Sequence, residues 1–273
     1  MFFPKSRLVY ISILLCAMNI SLAQADPKYW EDNSWLVTVG GYWADSSTTV
    51  RVDATDGSVG TEINGEDDLS WNNREFSPFI ILNYRFNPNH SLLVSYWSIR
   101  RNGVKDITFD LDIGDETYTG GTTIDSEFIT DIYRLTYGYT LYNSERSNIA
   151  FLVGLHITNL KFNLRAVGGM GTTVQTAADA VAPLPAFGFS GSYKMNNEWY
   201  VSGWLQGFAL EYDNYDGKML NATLYVTYKP FKHVSFNAGA AVFDMNLTAT
   251  DEDARGEFDY KYVGPVVSVS TAF

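Results

Sequence analysis

The feature that most limits the fold is a period-two alternation of apolar with polar or small residues, recurring from Trp35 to the last residue. Successive side chains of an extended strand point to opposite faces, so this pattern marks a sheet with unlike surroundings on its two sides. Ile149, Phe151, Val153, Leu155 and Ile157 form one series, set against Gly154 and His156. Leu220, Ala222, Leu224, Val226 and Tyr228 face away from Asn221, Thr223, Tyr225 and Thr227. Pro78, Ile80, Leu82, Tyr84 and Phe86 form a third series, and Val234, Phe236, Ala238, Ala240 and Val242 a fourth. The last runs Val263, Pro265, Val267, Val269, Thr271, Phe273. Residues 92–101 and 199–210 are apolar on both faces over part of their length, which leaves their phase open.

The first 25 residues read differently. Lys5 and Arg7 precede an apolar run from Leu8 to about Ile20, and Ala23-Gln24-Ala25 offers a small-x-small cleavage site. This is the pattern of a secretory signal, and its apolar run falls short of the roughly 20 residues of a spanning helix. The lone cysteine, Cys16, lies within it. No apolar stretch of spanning length follows. A membrane form must therefore be a closed barrel, since only helices and closed barrels satisfy every backbone group in lipid.

Composition agrees. Aromatics make up 15% and hydrophobics 46%, yet the net charge is −12. A barrel in lipid shows apolar residues outward and polar ones inward, which keeps both classes plentiful. The acidic balance excludes nucleic acid as a partner, because phosphate backbones call for Lys and Arg.

Short turn-rich links at 87–90, 142–146, 194–197 and 229–233 alternate with longer connections at about 54–74, 104–126, 166–184, 212–218 and 248–257. Outer-membrane barrels pair short periplasmic turns with longer external loops. The reading is all-β: a single antiparallel transmembrane barrel of about ten strands, with eight or twelve as alternatives and both termini periplasmic. Residues 1–25 form the signal, 26–34 a short periplasmic segment and 35–273 the barrel. Asp216-Gly217 suits a tight turn needing positive φ.

On these features the chain resembles small bacterial outer-membrane barrels of the OmpW and OmpA-barrel kind. In such proteins a terminal aromatic, preceded by apolar residues at every second position, is recognised by the barrel-assembly machinery. Phe273, Val269, Val267 and Val263 match that signal, while Thr271 stands where a bulky residue is usual. The resemblance implies outer-membrane lipid and lipopolysaccharide as surroundings, and says little about activity.

Candidates for chemistry are few. His156 is the only histidine within a strand, and by phase it faces the lumen. Lipid A deacylases carry a His-x-Ser pair on a barrel strand, but here Thr158 replaces the serine nucleophile and no carboxylate is placed to orient the ring. Omptin proteases share the ten-strand count and need a histidine with acids at the outer rim. His156 lies about seven residues up its strand, which at roughly 3.3 Å per residue is mid-membrane.

Further lumen candidates are Arg85, Arg101, Arg134 and Tyr225, with Trp97 and Trp204 as bulk and Lys194 and Lys229 near the periplasmic end. The arginines either line an anion path or pair with acids such as Glu75 and fill the barrel. Acidic clusters at Glu66-Asp67-Asp68 and Asp251-Glu252-Asp253 read as solvated loops, with divalent cations as the sharper alternative. Trp35, Trp43 and Trp199 read as interfacial girdle residues. No cofactor is implied. The expected function is a non-enzymatic barrel, structural or a narrow channel for small or apolar solutes. The alternatives are an outer-membrane enzyme acting on lipid A or phospholipid through His156, and a secreted soluble β-sandwich binding protein.

Overall fold

Alternation carries the strands well past the length that lipid requires. In the computed structural model, which describes residues 33–167, 173–212, 214–251 and 254–273, the chain is almost wholly antiparallel β. The elements are β1 (Trp35–Val52), β2 (Ile63–Asn64), α1 (Gly65–Asp68), β3 (Arg74–Asn87), β4 (His90–Asp106), β5 (Leu111–Ile113) and β6 (Glu116–Tyr118). There follow β7 (Thr123–Asn143), β8 (Ser147–Val167), β9 (Thr173–Lys194), β10 (Trp199–Tyr212), β11 (Tyr215–Tyr228), β12 (Val234–Asp251) and β13 (Ala254–Ala272). Ten of the strands are 14 to 22 residues long, against the roughly 9–11 that cross a bilayer when tilted.

These ten close into a barrel in the order β1-β3-β4-β7-β8-β9-β10-β11-β12-β13, and β13 returns to pair with β1. The seam runs from Leu36 opposite Ala272 to Val52 opposite Gly256. Trp35 and Phe273 finish it with two backbone hydrogen bonds, of 2.9 and 3.0 Å. One continuous closed sheet excludes the soluble-sandwich alternative, which needs two sheets packed face to face.

Phase follows the sequence pattern. Val39, Ile80, Leu82, Val94, Leu135, Val153, Leu224 and Val267 point outward and are exposed, whereas Thr38, Ser95, Thr136, Thr223 and Ser268 point inward and are buried. The two doubtful segments are now placed: Trp97 and Trp204 both face the lumen. A large apolar outer surface on a protein in water would be an aggregation liability, and in lipid it is the solvated face. Aromatic pairs mark its borders. Trp35 lies against Tyr84 (4.6 Å) and Trp199 stacks on Tyr228 (4.8 Å) at one level, while Trp43 meets Phe76 (5.3 Å) at another. Eight residues separate Trp35 from Trp43, roughly 20 Å of height at barrel tilt, close to the apolar band of such barrels.

Four connections at one end, the turn end, are short, as expected: β3–β4, β7–β8, β9–β10 and β11–β12. The opposite, loop end departs from the expectation. Residues 166–167 and 173–184 are strand rather than loop, because β8 and β9 stay paired up to Val167 opposite Thr173. Likewise β12 and β13 pair to Asp251 opposite Ala254. Asp216 and Gly217 lie within β11, opposite Glu211 and Leu210, with the pairing running on to Tyr212 opposite Tyr215, so Gly217 is a strand residue and needs no positive φ. Backbone pairing continues there because an antiparallel ladder satisfies its own N–H and C=O groups whatever the character of the side chains on its faces.

Only two connections at the loop end are long, and they fold together. The β5–β6 hairpin buries Leu111, Ile113 and Tyr118. Thr61 donates its N–H to the Asp112 carbonyl (2.8 Å), and Gly114 donates to that of Val52 (3.0 Å). Asp56 accepts from both the hydroxyl and the N–H of Ser58 (2.6 and 2.9 Å), which holds its carboxyl below the usual range. The proposed signal segment lies outside the described residues.

Candidate functional site

Among the described residues the ten strands enclose a lumen that is divided into two unlike halves. The loop half is filled by the β1–β3 connection. Ile63, Leu69 and Trp71 from that segment are all nearly inaccessible. Asn64 caps α1 by accepting from the N–H groups of Glu66 and Asp67 (3.1 and 2.9 Å), while Asp68 accepts from the N–H of Asn64 (2.8 Å). This reciprocal cap turns the chain inward and aims Trp71 at the barrel wall. Its ring stacks on Phe128 at 5.1 Å, and its Nε1–H donates to Ser126 Oγ at 2.9 Å.

Arg101 locks this plug. Its guanidinium pairs with Glu66 and donates to Thr48 Oγ1, and it lies 4.8 Å from the Trp71 ring centre. Glu66 also accepts the N–H of Thr48 (3.0 Å). Two glycines make the room. A Cβ on Gly103 would stand 2.0 Å from the carbonyl oxygen of Leu69, and one on Gly65 would stand 2.0 Å from the Trp71 ring. Below the plug, Tyr42 stacks on Tyr262 (5.3 Å) and Tyr262 on Phe243 (5.2 Å), so the filling continues as a layer of rings.

The turn half is open by contrast. A cavity of about 260 Å³ is lined by hydroxyls and amides, among them Thr38, Asn83, Ser202, Thr227, Asn237 and Ser270. Thr38 and Ser270 share a hydrogen bond (2.8 Å), Thr227 donates to Asn237 Oδ1 (2.7 Å), and Asn237 donates to Ser268 and Ser270 (3.0 and 2.9 Å). Arg134 forms the floor, with Trp204 5.0 Å and Trp97 6.0 Å from its guanidinium carbon.

Arg85, Arg101, Arg134, His156 and Tyr225 therefore all lie on the inner face, but not together. Arg85 is near the turn end and donates to the Asn33 carbonyl (3.3 Å). Arg101 belongs to the plug. Arg134, His156 and Tyr225 share the middle tier, where His156 sits opposite Arg134 in the β7–β8 register. His156 is fully buried and its Nε2 is 3.4 Å from Asn221 Nδ2, while Nδ1 and the Thr158 hydroxyl have no partner. Among the described residues no carboxylate meets the ring, where a base–orienter pair would place one.

Glu75 is not the acid that meets the arginines. It accepts from Asn72 Nδ2 (2.7 Å), and Glu66 takes the role instead. The Glu66-Asp67-Asp68 carboxylates thus diverge, to Arg101, to solvent and to the Asn64 N–H. Among the described residues no three His, Cys, Asp or Glu side chains converge as a metal site. Asp253 and the Asp251 side chain lie outside the described residues. Sequence reasoning missed Trp71 and Gln206. Ile63, Leu69 and Trp71 in an otherwise acidic loop were the signal that this loop packs inward.

No protein-family model matches the chain, and no curated protein does. Among solved structures, the outer-membrane protease OmpT of Escherichia coli is similar over 89% of this chain and 97% of its own, at 12% identity and a TM-score of 0.59. The translocator domain of the autotransporter NalP from Neisseria meningitidis is similar over 89% and 90%, at 11% identity, with a TM-score of only 0.43. The OmpT likeness establishes the outer-membrane barrel fold and nothing finer. His156 stands in mid-strand and His233 in a turn-end link, while His90, expected in a turn, is the first residue of β4.

Proposed function

We propose that this chain is a non-enzymatic outer-membrane barrel, set with its turn end to the periplasm and its long loops outward, whose lumen is a stoppered vestibule. The observation that carries this reading is the Arg101–Glu66–Trp71 plug in the loop half. It fills the path that a diffusion pore would need, while the turn half stays hollow. The buried His156 without a carboxylate or a serine partner supports a non-enzymatic role. Outward-facing Val267, Val269 and Phe273 fit the strand edge that the barrel-assembly machinery reads, and the apolar belt fits contact with membrane lipid and lipopolysaccharide.

Planar-bilayer recording tests the stopper. Wild-type protein is expected to stay near background, and Trp71→Ala to open measurable steps. Steady high conductance in wild type would sink the reading.

A further inference from the structure

We propose that the vestibule binds a small organic monocarboxylate, with Arg134 at its floor as the anion-holding residue. The two buried arginines of the lumen are treated differently. Arg101 has Glu66; Arg134, 4% exposed, has no carboxylate near it among the described residues. Its Nε donates to Ser95 Oγ (3.1 Å) and its Nη1 reaches Gln206 Oε1 (3.5 Å), which leaves Nη2 without a protein acceptor. A guanidinium stays protonated in proteins, and a buried charge is costly until something answers it.

The neighbouring unmatched groups have the same character. Gln206 Nε2 and Thr136 Oγ1 are both buried, both without a partner, and both residues line the same cavity. Gln206 cannot be turned over, because its Oε1 takes the Arg134 donor and an amide nitrogen there would face the guanidinium. Among the described residues the floor therefore offers the Arg134 guanidinium as donor and no charged acceptor, with the unmatched Gln206 amide and Thr136 hydroxyl buried behind it, which is the chemistry of an anion site. The second arginine of the lining, Arg85, lies at the turn end and donates to the Asn33 carbonyl, so at the floor one guanidinium answers one negative charge, hence a monoanion. Leu36, Ile81, Leu93 and Leu152 line the walls above it, so the charge should ride on a short apolar body. About 260 Å³ sits at the small end of ligand pockets, which suits a compact acid. Binding does not depend on the membrane orientation given above; only the side of entry does.

Isothermal titration calorimetry on the detergent-solubilised full barrel, against a micelle blank, decides the matter with hexanoate, its neutral analogue hexanamide and inorganic phosphate. Hexanoate should bind saturably at one site, with hexanamide at least tenfold weaker. Arg134→Gln, checked for heat-modifiable gel migration as evidence of folding, should lose at least tenfold in hexanoate affinity, and Gln206→Leu several-fold. Equal binding of hexanoate and hexanamide would make the cavity merely apolar and overturn the proposal. Phosphate binding more tightly than hexanoate would reassign the site to inorganic anions and overturn the organic part. No saturable heat with wild type, a comparison that needs no variant, would end it outright.

Discussion

The two halves of the lumen are built from the same ten strands, yet one is packed with aromatic rings and the other is hollow, lined by hydroxyls and amides interleaved with leucines. The difference lies in what enters from outside the wall. In the loop half a connection folds back and supplies Ile63, Leu69 and Trp71, so inward positions there become a core packed on both sides. At the turn end the links are too short to reach inward, and the inward residues must satisfy one another, as Thr38, Thr227, Asn237, Ser268 and Ser270 do. A barrel of this size is filled by side chains only where something completes the layer.

The comparison can be broken most sharply at the ion pair. Glu66→Ala strands Arg101 as an uncompensated buried charge and should cost about 3–5 kcal/mol, read as a lowered midpoint in the heat-modifiability gel. Replacing the pair together, as Arg101→Met with Glu66→Leu, should recover most of that loss. Failure to recover would mean that the plug is held by something other than this pair. Next in size, Gly103→Val drives a side chain into the Leu69 carbonyl and should cost about 1–3 kcal/mol while raising bilayer conductance.

The turn half should respond more mildly. Thr38→Val removes one seam hydroxyl bond and is expected to cost only about 0.5–1.5 kcal/mol, with conductance unchanged. A larger loss there than at Glu66 would reverse the ranking of the halves. The smallest effect is expected at His156→Ala, which should leave lipid A and phospholipid profiles of expressing cells unaltered. A changed profile would restore the enzyme reading.

Much of the wall was legible in the sequence, for a physical reason. Lipid on one side and a polar interior on the other force strict alternation, so Leu224 against Tyr225 or Val267 against Ser268 can be phased by eye. Trp97 and Trp204 could not, because in a filled barrel the interior also accepts large rings and both faces read as apolar. Loop lengths at 166–184 and 248–257 were misjudged because pairing outside the membrane needs no hydrophobic face. The plug was missed because its partners are far apart in sequence. Nothing local tells Glu66 that it will meet Arg101, or Trp71 that it will meet Phe128.

The Trp35–Phe273 closure has a consequence for the order of assembly. Every other barrel pairing joins sequence neighbours and can form as a hairpin or a simple extension of one. The seam joins segments more than 200 residues apart, and its loop-closure entropy makes it the last contact to become favourable. Until then the sheet carries two bare edges, each a template for another chain. For this protein, becoming a closed barrel and escaping edge-to-edge aggregation are the same kinetic event, completed when the final strand finds the first.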